Sequence, residues 1–142
     1  GNQGIGVNLV NGAQSLKSLL ETFHALRDQK FIIQPFIAHK KEWRVFIINQ
    51  EIFGVIERTI STDDFRGNSR TSKGKWIKKI PANIANEILR GVQLTNLDYC
   101  GVDLIVDGDK FTILEFNPVA GFQQLEELTG LNIAKELLLR LL

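Results

Sequence analysis

The sequence is poor in several residue types whose abundance would define a class of protein. Cys100 is the single cysteine among 142 residues, so the chain cannot build an internal disulfide framework. No apolar run approaches the roughly 18 residues that a membrane-spanning helix needs. The formal net charge is +1 at pH 7, which gives no overall attraction to nucleic acid or to anionic lipid. We therefore expect a cytoplasmic protein that does not bind membranes.

The composition is that of a folded domain. Hydrophobic residues make up 44% of the chain and charged residues 23%, which is enough apolar material for a core. The chain contains no internal repeat, low-complexity tract or linker, so residues 1–142 are expected to form one domain. The chain begins with Gly1 on a glycine-rich loop, from which we expect that domain to be incomplete.

The first half of the chain predicts one helix and several short strands. Residues 1–12, "GNQGIGVNLVNG", predict a glycine loop, a short strand and an Asn-Gly turn. Apolar residues at helical spacing predict a helix over 13–29, with Ser15 as its N-cap. Residues 30–37 predict a short strand that Pro35 interrupts, and residues 42–60 predict a hairpin around 49–51.

The second half predicts helices on either side of another hairpin. A polar loop over 61–79 precedes a helix that starts at Pro81, and the hairpin follows at 101–117. A short helix closed by Gly130 and a terminal helix capped by Asn132 complete the chain. The expected fold class is therefore α+β, with a largely antiparallel sheet and flanking helices.

The hairpin at 101–117 carries carboxylates among apolar residues. An unpaired buried charge is costly, so each acid needs a partner, a shifted pKa or a metal. Glu115 and Asn117 are two apart in a strand and share a face. With a two-residue turn at 108–109, Asp103 would lie opposite Leu114, whereas a connection of three or five residues would place it opposite Glu115 at about 5 Å.

This geometry leaves two interpretations of the acids open. Two opposed carboxylates repel each other unless a cation lies between them, and Mg²⁺ binds one or two carboxylates together with phosphates. A metal site therefore predicts a loop of odd length. Alternatively, Asp103 caps a turn or pairs with an arginine, and Asn117 is a turn residue before Pro118.

The loop over 61–79 concentrates positive charge, and Arg44 and Arg58 lie in or beside apolar strands. The loop fits a solvated face, an anion clamp that includes Arg58 and Arg66, or a single-strand nucleic-acid surface with Phe65 and Trp76. The loop at residues 1–6 has the spacing G-x-x-G-x-G, which permits a flap over phosphates but also fits an ordinary turn. The basic residues of the polar loop are Arg66, Arg70, Lys73, Lys75, Lys78 and Lys79.

Six motifs in order carry a resemblance to a known family. The segments "GNQGIGV", "IIQPFI", "EWRVFII", "VIERTISTDDFRGN", "GVDLIV" and "ILEFNPVAGF", the last followed by "LTGLNIA", resemble the RimK-type ATP-grasp carboxylate–amine ligases. The resemblance runs from residue 1 to residue 140. It implies the C-terminal part of an ATP-grasp fold, preceded in the family by an N-terminal domain and the rest of the ATP-binding subdomain. The 142-residue chain alone would then be inactive.

The resemblance also implies a reaction. A small-molecule or peptide carboxylate would attack the γ-phosphate of ATP, and an amino acid such as glutamate would attack the acylphosphate to give an amide. The cofactors would be ATP and Mg²⁺ or Mn²⁺, and the family often forms homo-oligomers. Nucleic acid is not an expected partner in this interpretation.

The resemblance assigns roles to individual residues. The nucleotide would be bound by a flap (Gly1, Gln3, Gly4 and Gly6), an adenine hinge (Gln34, Pro35 and Phe36), a ribose-binding acid (Glu42) and a further contact stretch (Arg66, Gly67 and Asn68). The transferred phosphate would lie near Arg58, with Arg44 assisting. The metal would be held by Asp103, Glu115 and Asn117 of the hairpin.

Three positions depart from the family pattern. Pro35 stands where the family usually has Glu, and the segments after Asn68 and after Asn117 also differ. Both of those loops border the acceptor side, so we expect a substrate different from that of the best-known members. Two other functions stay open, an inactive ATP-grasp fragment and a single-strand nucleic-acid module. Steep weakening of binding with salt would indicate the nucleic-acid module, and Mg²⁺-dependent nucleotide binding would indicate the ligase.

Overall fold

The computed structural model describes residues 6–26, 30–60, 74–108 and 110–141. The chain divides into two compact units, Gly1–Ala38 and His39–Leu142. No helix in these described ranges is long and apolar enough to cross a membrane. The predicted mixture of helices with an antiparallel sheet is confirmed.

The first unit contains helix α1, Ala13–Ala25. The helix begins after Gly12, whose φ of +89° turns the chain, and the N–H of Leu16 donates to the carbonyl of Gly12 at 3.2 Å. The prediction of Ser15 as N-cap is therefore wrong, because the helix starts two residues earlier. Residues 7–11 and 30–38 form no strand, so both short strands predicted there are wrong. An apolar run becomes a strand only where a neighbour completes its ladder, and the described part of this unit contains no strand.

The described residues of the second unit form an antiparallel sheet of five strands in the order β3-β2-β1-β4-β5. The predicted hairpin near residue 50 is confirmed, and its turn residues Asn49 and Gln50 have φ of 49° and 60°, as a tight twisted turn requires. Residues 74–77, predicted as loop, instead pair with β2 as an outer strand. The strands are β1 Lys41–Ile48, β2 Glu51–Thr59, β3 Gly74–Ile77, β4 Tyr99–Asp107 and β5 Lys110–Asn117.

Helices cover both faces of the sheet. Helix α2, Ala82–Thr95, packs its predicted apolar stripe of Ile84, Ile88 and Val92 against one face. On the other face, helices α3, Gln123–Thr129, and α4, Ile133–Leu141, pack around Phe46 and Ile56. Burial of each such side chain stabilises the fold by about 1.5–3 kcal/mol. Pro81, predicted as the first residue of α2, is instead its N-cap. Gly130 closes α3 and the side-chain oxygen of Asn132 caps α4, both as predicted.

One carboxylate on the α2 side, Glu57, is held by two donors. The indole N–H of Trp43 donates to it at 3.1 Å, and the ammonium of Lys41 lies 3.0 Å from its other oxygen. Burial alone would raise the pKa of Glu57, but these two donors outweigh burial and hold the pKa below its usual value of 4.5. The ionised carboxylate of Glu57 therefore stabilises the folded state.

Candidate functional site

Six polar residues of four strands share the sheet face opposite α2. Directly opposed residues in an antiparallel pair project to the same side. The register pairs Glu42 with Arg58, Arg44 with Asp103, Asp103 with Glu115, and Gly101 with Asn117. The structure thus brings together the predicted metal ligands, both predicted arginines and the predicted ribose-binding acid. We call this set the charged face: Glu42, Arg44, Arg58, Asp103, Glu115 and Asn117.

The centre of the charged face is a buried ion pair. Nε of Arg44 donates to Oδ1 of Asp103 at 2.7 Å, and a terminal guanidinium nitrogen donates to Oδ2 at 2.5 Å. Arg44 is 8% exposed and Asp103 is 5% exposed. Burial would lower the pKa of Arg44, but the hydrogen bonds and charge of Asp103 outweigh burial and raise it. The alternative in which Asp103 pairs with an arginine is therefore present in the structure.

Asp103 also lies directly opposite Glu115, as a metal site requires. The predicted cause of this pairing is wrong. The turn has two residues, since Asp107 pairs with Lys110, and a β-bulge between Asp103 and Leu104 shifts the register by one. Leu114 is the extra residue of the bulge and is 41% exposed. A bulge bends a strand and redirects its side chains, and here it brings Glu115 to the face of Asp103.

The hairpin acids have the chemistry of a divalent-cation site. Burial, followed by the charge of Asp103, raises the pKa of Glu115, so a cation between the two carboxylates would relieve their repulsion. A carboxylate offers about four lone-pair positions, of which Arg44 uses one on each oxygen of Asp103. Oδ1 of Asn117 accepts a hydrogen bond from the N–H of Val119 at 2.9 Å, and an amide oxygen retains a second lone pair. These oxygen donors suit Mg²⁺.

Arg58 supplies a second buried cation. Its Nε donates to the side-chain oxygen of Gln124 on α3 at 3.1 Å, a contact that the sequence analysis did not anticipate. Burial, and then the nearby charge of Arg44, lowers the pKa of Arg58 to about 10. Two neighbouring guanidinium groups of this kind attract an anion, and the planar guanidinium matches phosphate oxygens.

His39 is a residue of the site that the sequence analysis missed. The chain has two histidines, His24 and His39, and the sequence around each contains no Cys, Asp or Glu pattern typical of metal ligands. In the structure, Nε2 of His39 lies 2.8 Å from Oε1 of Glu42. The two side chains are 10% and 11% exposed. No sequence signal marks this contact, because it depends on how the chain enters β1.

The remaining predicted site residues lie in the first unit or outside the described ranges. Gly6, with φ of +82°, and the exposed hinge residues Gln34, Pro35 and Phe36 belong to the first unit. The other residues with a predicted nucleotide role lie outside the described ranges; these are Gly1, Gln3, Gly4, Arg66, Gly67 and Asn68.

The described part of the basic loop places a lysine against its tryptophan. Nζ of Lys78 lies 5.4 Å from the ring centroid of Trp76, within the range of a cation–π contact. A base that stacks on this face of the ring would have to displace the lysine. The arrangement therefore gives the nucleic-acid interpretation no specific support.

Comparisons with known proteins relate the chain to a family and to a fold. The sequence model of the RimK-like ATP-grasp domain matches residues 1–141. The ribosomal protein bS6–L-glutamate ligase of Salmonella paratyphi B is 29% identical over 136 residues, which are 94% of this chain and 45% of the relative. The chain thus spans about half the length of the curated relatives that it matches.

Two solved structures share the fold. The D-alanine–D-alanine ligase of Bacillus anthracis, complexed with ATP, has a TM-score of 0.71 at 19% identity, over 96% of this chain and 49% of that one. The macrocyclase MdnC of Microcystis aeruginosa, bound with its precursor peptide MdnA, has a TM-score of 0.54 at 24% identity, over 71% and 32%. The expected ATP-grasp fold is confirmed.

Proposed function

The chain belongs to the RimK-like ATP-grasp family, and we propose that it serves an ATP-dependent carboxylate–amine ligase as its nucleotide- and metal-binding surface. The observation that carries this proposal is the charged face. Opposed carboxylates lie beside two buried arginines on a sheet whose other face carries the apolar cluster that packs against α2. A purely structural sheet would gain nothing from desolvating these charges.

The proposed reaction forms an amide through an acylphosphate. A substrate carboxylate oxygen attacks the γ-phosphorus of ATP and ADP leaves. The amine nitrogen then attacks the acyl carbon, phosphate leaves, and the amine proton passes to base or solvent. In such transfers the protein mainly positions the reactants and stabilises developing negative charge.

Each residue of the charged face has a proposed part in this reaction. Arg58 binds the transferred phosphate, and Arg44 assists while it fixes the orientation of Asp103. Glu42 accepts hydrogen bonds from the ribose hydroxyls. A bound Mg²⁺ or Mn²⁺ supplies charge neutralisation at the phosphates, and the oxygens that would hold it belong to Asp103, Glu115 and Asn117.

The name of the Salmonella relative suggests the substrates. That protein is a ligase of L-glutamate and a ribosomal protein. We propose an amino acid such as glutamate as the amine and a peptide, protein or small-molecule carboxylate as the other substrate. The departures after Asn68 and Asn117 favour a carboxylate different from that of the named relative.

Nucleotide binding by calorimetry tests the proposal. We expect the purified protein to bind ATP in the presence of Mg²⁺ and to bind it much more weakly in EDTA. Glu115→Gln should weaken Mg²⁺-dependent binding by at least about tenfold, since one ligand charge is lost. Asp107→Asn, an exposed acid of the same hairpin, should bind like the wild type.

The same samples test the alternative function. Binding of a single-stranded oligonucleotide that weakens steeply with salt, together with no Mg²⁺-dependent ATP binding, would refute the ligase proposal in favour of a nucleic-acid module.

A further inference from the structure

We infer that His39 positions the carboxylate of Glu42 and thereby sets the preference of this site for a ribonucleotide. The inference rests on the proposed function, in which Glu42 binds the ribose hydroxyls. His39 would act through Glu42 and would not itself contact the nucleotide. It is therefore a positioning and specificity residue of the proposed ligase.

The contact between the two side chains is short and protected from water. Nε2 of His39 lies 2.8 Å from Oε1 of Glu42, and about nine tenths of each side chain is buried. An ionised carboxylate can only accept a hydrogen bond, so Nε2 must carry the proton and donate. Within the described residues, the carboxylate is contacted through Oε1, which leaves Oε2 for a ligand hydroxyl.

Glu42 needs such a partner because two arginines compete for it. Arg58 lies directly opposite on β2, and the charge of Glu42 acts on both Arg44 and Arg58. A glutamate has three side-chain torsions and could turn towards either guanidinium, which would remove it from the nucleotide. The hydrogen bond from His39 holds the carboxylate through Oε1 and so opposes such a turn. Arg44 instead donates to Asp103 and Arg58 donates through Nε to Gln124.

The backbone that carries His39 is fixed by the sheet. The N–H of Ile60 donates to the carbonyl of Lys40 at 2.9 Å, which continues the β1–β2 ladder beyond the pairing of Lys41 with Thr59. The residue next to His39 is therefore held at the end of the hairpin. Because the backbone of the donor is already ordered, the hydrogen bond to Glu42 does not have to overcome the conformational entropy of ordering a mobile loop.

The affinity for ATP compared with that for 2′-deoxy- and 3′-deoxy-ATP tests this inference, because a merely structural role would not change the ratio. The wild type should prefer ATP over at least one deoxynucleotide by about tenfold or more, as expected for a hydrogen bond to a charged group. His39→Ala should reduce this preference to less than about threefold, close to that of Glu42→Ala.

Two further variants separate positioning from stability. In His39→Gln the amide nitrogen occupies a place similar to Nε2 and should restore most of the preference, whereas His39→Asn is too short and should not. His24→Ala, at the exposed histidine of α1, is the matched control and should preserve it. If His39→Ala does not fold, the contrast between the Gln and Asn variants decides the question.

The possible results distinguish the two proposals. Loss of the ribose preference in His39→Ala, with recovery in His39→Gln, supports the inference. An equal loss of affinity for ATP and for both deoxynucleotides, or an unchanged preference, would overturn it while the ligase proposal stands. If wild-type protein does not bind ATP with Mg²⁺, both proposals fail.

Discussion

Replacement of Asp103 with alanine should lower the free energy of unfolding by about 3 kcal/mol. Removal of one partner of a buried ion pair typically costs about 3–5 kcal/mol, because the other charge stays buried without its hydrogen bonds. Here the guanidinium of Arg44 would lose two donated hydrogen bonds at 8% exposure. We expect the lower end of the range because the charges of Glu115 and Glu42 also favour the charged arginine.

The pair itself should contribute much less than this loss suggests. Replacement of both partners by apolar residues of similar size, Arg44→Met with Asp103→Leu, removes the desolvation cost together with the attraction. The double variant should therefore be within about 1 kcal/mol of the wild type, although each single variant is strongly destabilised. A coupling energy of about 2 kcal/mol or more should result.

Urea unfolding followed by tryptophan fluorescence measures these changes. The two tryptophans of the chain, Trp43 and Trp76, lie in β1 and β3 and report on the sheet. Glu87→Ala is the control, because its ion pair with Arg90 on α2 has side chains 54% and 73% exposed and should contribute less than about 1 kcal/mol. A loss below about 1 kcal/mol for Asp103→Ala, or additive single effects in the double variant, would refute the reasoning.

Three further predictions concern packing, pH and thiol chemistry. Gly101→Ala should lower the free energy of unfolding in urea by about 1–3 kcal/mol, since the added Cβ would lie 2.5 Å from the Cβ of buried Ala120. Gly121→Ala is the control and should be neutral, because its added Cβ meets open space. Because folding lowers the pKa of Glu57, the ionised carboxylate stabilises the fold above pH 4.5, and this stabilisation is lost as the pH falls through the folded pKa. The free energy of unfolding of the wild type should therefore fall more steeply over this pH range than that of Glu57→Gln. Parallel plots of unfolding free energy against pH for the two proteins would contradict this. Burial raises the pKa of the Cys100 thiol, so a disulfide reagent should modify it slowly in the native protein and rapidly in urea, and equal rates would refute the burial.

Local sequence signals predicted the elements whose partners are close in the chain. The helix at α2 followed from the spacing of Ile84, Ile88 and Val92, and both hairpins followed from turn residues between apolar runs. In each case the signal, a helical spacing or a turn, lies within the segment itself. The two-residue spacing of Glu115 and Asn117 likewise predicted that they share a face, but the local signals left the position of Asp103 open.

Elements that depend on distant partners could not be predicted in this way. The apolar run over 30–37 resembles a strand, but a strand needs a ladder neighbour that the run does not specify. Residues 74–77 contain glycine and lysine and resemble a loop, yet β2 offers them an open edge. The contact of His39 with Glu42 likewise depends on the path of the chain into β1.

The register of the β4–β5 hairpin is indicated by the apolar residues of β5 as well as by the turn. Turn length was taken to decide which residues oppose each other, but burial of apolar side chains decides it more strongly. On β5 the residues that pack towards α2 are Phe111, Ile113 and Phe116. The step from Ile113 to Phe116 is three residues, and a regular strand cannot put both on one face, so one extra residue must bulge between them. This break in the two-residue period places Glu115 on the face of Asp103, and the two-residue turn then sets the two acids directly opposite each other.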